Sequence, residues 1–168
     1  MAVAEIIGTA IGVMIMIIVA YLVVGGILIA GETVANAQKD ITLLNEARMQ
    51  TSITLNKSEI TYSNSNLSFS VTNDGNEVIS DFDNIDVYID DGSAQSLQKY
   101  SYQNYNPPNS PDSGNWSFSH IDPDRIHPNQ LDPGEKMWVL ATVLPPGNQP
   151  SWFQVTTSNG VNAQTTYP

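Results

Sequence analysis

Hydrophobic and polar positions divide the chain into stretches of different period. From Ile6 to Ala30 no side chain is charged, 14 of the 25 residues are Ile, Val or Leu, and the run ends at Gly31-Glu32. At about 1.5 Å per helical residue the run reaches about 38 Å, enough to cross a hydrocarbon core of about 30 Å with some tilt. Its branched aliphatic residues favour insertion by roughly 4 to 8 kcal/mol, a margin that four glycines and Thr9 reduce without reversing. Beyond it, Ala30, Val34, Ala37, Ile41 and Leu44 recur at spacings of four and three, while Glu32, Lys39, Asp40, Glu46 and Arg48 fall off that stripe. The same helix therefore continues as an amphipathic extension over 31–50, able to pack on neighbouring copies or on its own globular domain. A core helix of a soluble protein would need a large domain to surround it, and only 118 residues follow position 50.

After Gln50 the period changes to two. Short strands are predicted at Ser52 to Leu55, Glu59 to Tyr62, Leu67-Phe69-Val71, Ile85-Val87-Ile89, Trp116-Phe118, Met137 to Leu144, Phe153-Val155 and Val161-Ala163. Turn signals separate them at Asn73-Asp74-Gly75, Asp91-Gly92, Asp132-Pro133-Gly134, Pro145-Pro146-Gly147 and Asn159-Gly160. Met137 to Leu144 is apolar on both faces, which marks a central strand. Asn104 to Asn115, following Tyr100 and Tyr102 and including Tyr105, reads as a long exposed loop. The expectation is one long N-terminal helix (1–50, membrane span about 6–30) followed by an all-β domain (51–168), an immunoglobulin-like β-sandwich.

Charge narrows the partners. Seventeen acidic against six basic residues give a net charge of −11, and the part after Gln50 carries 13 acids and 4 bases. Such a surface repels phosphate, so nucleic acid is excluded as a partner. The lack of cysteine removes disulfides, thiolate metal sites and cysteine nucleophiles. No Lys or Arg precedes Lys39, and the apolar run exceeds the roughly 7 to 15 residues of a secretory signal, so the helix is expected to stay on the mature protein. Lys39 and Arg48 would, by the positive-inside rule alone, place the large domain in the cytoplasm. Two charges are too thin an excess to decide it, because whole domains cross largely regardless of charge.

Within the span, Ala4, Gly8 and Gly12 lie at four-residue intervals and form a small-residue face for another helix. Gly25-Gly26 is a candidate bend. Glu5, at the hydrocarbon edge, is either a solvated charge or a partner for a neighbouring chain's amino terminus. His120 and His127 read as surface loop residues, since no nucleophile or zinc motif accompanies them. Asp81, Asp83, Asp86, Asp90 and Asp91 lack the spacing and glycine of a helix-loop-helix calcium loop, and alternation turns most of them to solvent. No catalytic residue, cofactor site or metal site is expected. Sequons for N-glycosylation occur at Asn56, Asn66 and Asn115; sixteen Asn with 28 Ser and Thr predict about 2.7 by chance, so these are permitted sites only.

An apolar N-terminal helix, an amphipathic extension and a β-sandwich form the layout of archaeal type IV pilin-like proteins. The segments Ala30-Gly-Glu-Thr-Val-Ala-Asn-Ala-Gln-Lys-Asp and Leu44-Asn-Glu-Ala-Arg-Met-Gln-Thr resemble FlaF- and FlaG-type accessory proteins of the archaellum, the rotary swimming filament of archaea. So do the sandwich phrases Val71-Thr-Asn-Asp-Gly, Ile85-Asp-Val-Tyr-Ile-Asp-Asp-Gly and Leu131-Asp-Pro-Gly-Glu. The resemblance implies a non-enzymatic, stator-like anchor, single-pass in the cytoplasmic membrane, with its sandwich outside the cell. There it would contact the surface layer or a sister subunit as a homo- or hetero-oligomer. Two alternatives stand beside it: an extracellular filament subunit, archaellin or archaeal pilin, and a membrane-tethered binding domain. A filament precursor carries a short basic leader, which this sequence does not show; Glu5 fits a processed pilin, many of which carry glutamate at that position.

Overall fold

The structure is a computed structural model describing residues 2–90, 97–104, 110–144 and 149–167. These fall into two compact units, Met1–Asn45 and Glu46–Pro168. The helix α1 runs from Ala2 to Gln50, about 73 Å of continuous helix. It stays helical through Gly25-Gly26, so the helix does not melt there. Every large apolar side chain from Val3 to Leu44 that stands exposed does so by half or more, which leaves this unit with no core of its own. α1 is long and apolar enough to cross a membrane. Three of its hydroxyls are held within the helix: those of Thr9, Thr33 and Thr42 donate to the carbonyls of Ile6, Ile29 and Gln38 at 2.8 to 2.9 Å.

Nine strands follow among the described residues: β1 (Ile53–Leu55), β2 (Thr61–Ser63), β3 (Asn66–Asn73), β4 (Asp86–Asp90), β5 (Leu97–Tyr102), β6 (Asn115–Asp122), β7 (Lys136–Thr142), β8 (Trp152–Thr156) and β9 (Asn162–Thr166). They hydrogen-bond along one path, β1-β3-β7-β6-β5-β4-β8-β9, with β2 paired to β3. The path folds back on itself, because Phe69 of β3 and Phe153 of β8 meet ring to ring at 4.7 Å across the core, and its two ends, β1 and β9, approach each other. One layer is β1-β3-β7-β6 and the other β9-β8-β4-β5, the strand arrangement of an immunoglobulin-like sandwich. β5 ties the layers together. Its first four residues pair antiparallel with β4, while Ser101 and Tyr102 turn to a short parallel pairing with β6.

Alternation fills the interior. Met137, Val139 and Ala141 on β7, Leu67, Phe69 and Val71 on β3, Val87 and Ile89 on β4, and Phe153 and Val155 on β8 are all buried. β7 is central, paired with β3 on one side and β6 on the other. Its outer-face residues Trp138 and Leu140 are half-buried.

Several boundaries differ from expectation for identifiable reasons. Glu59 to Tyr62 is not one strand, because the Asn56 side chain accepts from the Ser58 amide and starts a single 3₁₀ turn over Lys57–Glu59 before β2 begins. β2 turns into β3 through Asn64 and Ser65, both at positive φ, the backbone of a two-residue primed hairpin turn. β6 outruns Trp116-Phe118 because a bulge between Phe118 and His120 breaks the alternation and returns Ile121 to the core. His120 is thereby a strand residue, not a loop residue. β5 was hidden by its polarity: only Tyr100 of its six residues is buried. The last strand starts one residue later than predicted and runs on to Thr166. The expected turns at Asp91-Gly92 and Pro145-Pro146-Gly147, and positions 105–109 of the Asn104 to Asn115 loop, lie outside the described residues.

Candidate functional site: the helix exit

The last turn of α1 belongs to the same compact unit as the strands, and its exposed carbonyls need partners. The loop after β3 supplies them. The Asn76 amide donates to the Gln50 carbonyl at 2.7 Å, and the amides of Asp74 and Gly75 donate to the Ser52 carbonyl at 2.9 and 3.1 Å. Thr51 closes the turn from within, its hydroxyl donating to the Ala47 carbonyl at 2.8 Å while accepting from Asn159 Nδ2 at 2.6 Å. Residue 75 must be glycine at this distance. A Cβ there would lie 2.4 Å from the Gln50 carbonyl oxygen and 2.5 Å from the Ser52 nitrogen, both backbone atoms that cannot swing aside.

Asn73 organises this loop from a wholly buried position. Its Nδ2 donates to the carbonyls of Glu77 and Leu131 at 2.8 and 2.9 Å, and its Oδ1 accepts from the Gly75 amide at 3.0 Å. Its backbone amide donates to the Glu135 carbonyl, and its own carbonyl accepts from the Gly134 amide. The two phrases Val71-Thr-Asn-Asp-Gly and Leu131-Asp-Pro-Gly-Glu are thus one structural unit, although 58 residues separate Asn73 from Leu131. Sequence alone presented Asn73 as a turn residue. The readable signal for more was its place at the end of an inward-alternating strand, where an amide that is buried must find several partners.

The second phrase carries its own polar anchor. Asp132, buried, accepts from His127 at both the backbone amide (3.0 Å) and Nδ1 (2.7 Å), and the His127 contact holds its carboxyl below the usual carboxylate range against the opposing effect of burial. Glu135, also buried, accepts from the amides of Asp132 and Arg125. His127 therefore orders a loop. His120 lies on the outer face of β6, its ring stacked 6.0 Å from Trp138. On the same face Lys136 donates to Glu59 at 2.7 Å and Ser70 donates to the other carboxylate oxygen, which together keep the Glu59 carboxyl below its ordinary range.

The remaining expected residues are dispersed. Asp81 precedes, and Asp83 lies within, a single 3₁₀ turn at Phe82–Asn84, where both Asp81 oxygens accept from Asn84 Nδ2. Asp86 pairs with Lys99 across β4 and β5 at 2.6 Å, which raises the lysine's pKa. Asp91 lies outside the described residues. Among the described residues no three His, Asp or Glu side chains converge as metal ligands. Gly8 and Gly12 have open space where a Cβ would stand, and Glu5 occupies the first turn of α1. Asn56 projects from the 3₁₀ turn, whereas Asn66 and Asn115 sit on β3 and β6.

No curated protein matches the chain in sequence. Among solved structures it is similar to the archaellum periplasmic stator protein FlaG from Sulfolobus acidocaldarius, at 23% identity and TM-score 0.46 over 70% of this chain and 99% of that one. It is similar also to the periplasmic stator complex of FlaF and FlaG from the same organism, at 22% identity and TM-score 0.46 over 68% and 87%. The family model of archaeal-type flagellin matches residues 3–167, helix and sandwich together. The chain therefore belongs to the archaeal-type flagellin family.

Proposed function

We propose that this chain is a non-enzymatic structural component of the archaellum, a stator-like accessory subunit that anchors rather than forms the filament. Residues 1–50 hold the cytoplasmic membrane, with the span at about 6–30, and residues 51–168 stand outside the cell against the surface layer or a sister subunit. The observation that carries this reading is the helix exit. Two of the phrases that resemble FlaF- and FlaG-type proteins, Val71-Thr-Asn-Asp-Gly and Leu131-Asp-Pro-Gly-Glu, converge on Asn73, and the amides of residues 74–76 bond the end of the helix, where an anchor must pass load from its membrane segment to its binding domain. Ala4, Gly8 and Gly12 serve as a close-packing face towards a second helix, and Glu5 as a charge for a neighbouring amino terminus. A filament subunit is the second reading, favoured by the family's own description and by the length of α1.

The two readings separate in cells. Sheared archaella and membranes from an archaellated strain are compared by quantitative mass spectrometry, alongside the swimming of a strain lacking the gene. An anchor stays with the membranes, and its loss leaves filaments that are assembled but fail to propel. Recovery of the chain as a stoichiometric component of purified filaments rejects the anchor in favour of the subunit.

A further inference from the structure

We infer that Asn56, alone among the three sequons, is an acceptor for an N-linked glycan on the folded domain. Transfer to a folded protein requires the asparagine and the hydroxyl residue two positions on to be reachable together. At Asn56-Lys57-Ser58 all three residues are exposed. They form an exposed single turn, in which the Ser58 hydroxyl donates to the Asn56 side-chain amide oxygen at 2.8 Å, so both groups a transferase must engage are presented on one feature. The asparagine is also a side-chain hydrogen-bond partner of the Glu59 carboxylate within the same turn, a carboxylate that Lys136 and Ser70 continue to hold without it.

The other two sequons are built into the sandwich. Asn66 pairs through its backbone with Ser63 on one side and Thr142 on the other. Its amide nitrogen donates to Ser110 at 2.7 Å and its amide oxygen accepts from Thr142 at 3.0 Å. At Asn115 the next residue, Trp116, is 0% exposed, and the required hydroxyl residue Ser117 is 1% exposed. Using either would mean pulling a core strand from the sheet.

The reaction needs a lipid-linked glycosyl phosphate as donor. Asn56 Nδ2 forms a bond to the anomeric carbon as that carbon's bond to the phosphate oxygen breaks; the lipid phosphate leaves with the electron pair and the amide proton passes to a base of the transferase. No redox change occurs. A glycan here would sit six residues beyond the end of α1, shielding the chain where it enters the sandwich. The inference rests on the proposed outward placement of residues 51–168, since such donors serve surface proteins.

The test uses the full chain, expressed in an archaeal host whose surface-layer protein is verified as N-glycosylated in the same sample, purified from membranes and examined by glycopeptide mass spectrometry. The expected result is glycan mass on the Asn56 peptide only, lost completely in Asn56→Gln and Ser58→Ala and retained in Ser58→Thr. A bare Asn56 peptide, or glycan on Asn66 or Asn115, overturns the inference. Labelling of Lys99 in intact cells by a membrane-impermeant amine reagent separates the two ways of failing. A labelled but unglycosylated chain refutes the glycan and leaves the anchor reading standing, whereas an unlabelled chain rejects the outward placement and the glycan with it.

Discussion

Gly75→Ala isolates the helix exit with a single methyl group. No positive φ is involved at this residue, so the penalty is steric: the new Cβ would sit 2.4 Å from one backbone atom and 2.5 Å from another, about an ångström inside ordinary contact. Neither atom can rotate away, so either the loop or the end of α1 must shift. Overpacking of this kind costs about 1 to 3 kcal/mol. A shift that breaks one of the three amide-to-carbonyl bonds from residues 74–76 to Gln50 and Ser52 adds about 1 kcal/mol. For a domain of this size each kcal/mol moves Tm by roughly 3 to 5 °C, so a fall of about 6 to 20 °C is expected. The assay is thermal unfolding of the full chain in detergent, followed by the fluorescence of buried Trp116, with hydrogen exchange at the Asn76 amide as the local readout. Gly134→Ala is the control: it has open space for a Cβ but lies at φ +82, so only the left-handed backbone penalty of about 1 kcal/mol applies. A Gly75→Ala protein that melts within 2 °C of the parent, with Asn76 still protected, would show that the close approach does not exist and that the exit is loose.

Further outcomes follow from neighbouring features. Asn73→Ala leaves the Leu131 and Glu77 carbonyls and the Gly75 amide without their side-chain partner in a buried site, so unfolding in urea should report a loss of about 2 to 4 kcal/mol; a loss under 1 kcal/mol would deny its role as organiser. Asp132 has a depressed carboxyl pKa when folded, so its contribution to stability is complete above the ordinary carboxylate value and disappears as pH falls through the lower, folded one. His127→Ala removes the largest cause of that depression, and Tm measured from pH 5 down to pH 2 should then decline less steeply; an unchanged slope would place the acid sensitivity elsewhere. Gly8→Leu with Gly12→Leu should weaken helix association in bilayers without altering the sandwich's Tm, because among the described residues nothing lies within 4 Å of a Cβ at either position. Energy transfer between labelled copies that is unaffected would remove the packing face. With 13 acids against 4 bases after Gln50, association with itself or with acidic envelope protein should strengthen between pH 7 and about pH 4.5 in low salt; equal binding at both values would assign the contact to apolar edges.

The helix and the principal strands were legible because each has a single clean pattern: uncharged throughout in the span, alternating in β3, β4 and β8, and apolar on both faces in β7. Legibility failed where side chains answer to something other than burial. β5 shows one buried residue in six because its task is to join two layers. The turn at Lys57–Glu59 arises from a cap that Asn56 supplies two residues away. Asn73 was the largest miss of the site. Its side-chain partners are backbone groups, one of them the Leu131 carbonyl 58 residues on, and a backbone carbonyl has no signature in a sequence. The turn-like phrases around it were visible, but that they face each other is a property of the strand order, which sets β3 beside β7.

The contact between Asn159 and Thr51 carries a consequence for the order in which the molecule is made. α1 is complete when residue 50 has been synthesised, and nothing after it is needed for a helix of that composition to enter a bilayer. Thr51, the residue that finishes the helix, does not receive its side-chain partner until the turn between β8 and β9 exists, more than a hundred residues later. On the proposed anchor reading, membrane entry and completion of the helix exit are thus separate events in biosynthesis, the second waiting on almost the last segment of the polypeptide. On that reading a nascent chain stalled before β8 would be membrane-bound yet unfinished at its exit, and a quality-control protease reading that segment could distinguish it from a completed molecule.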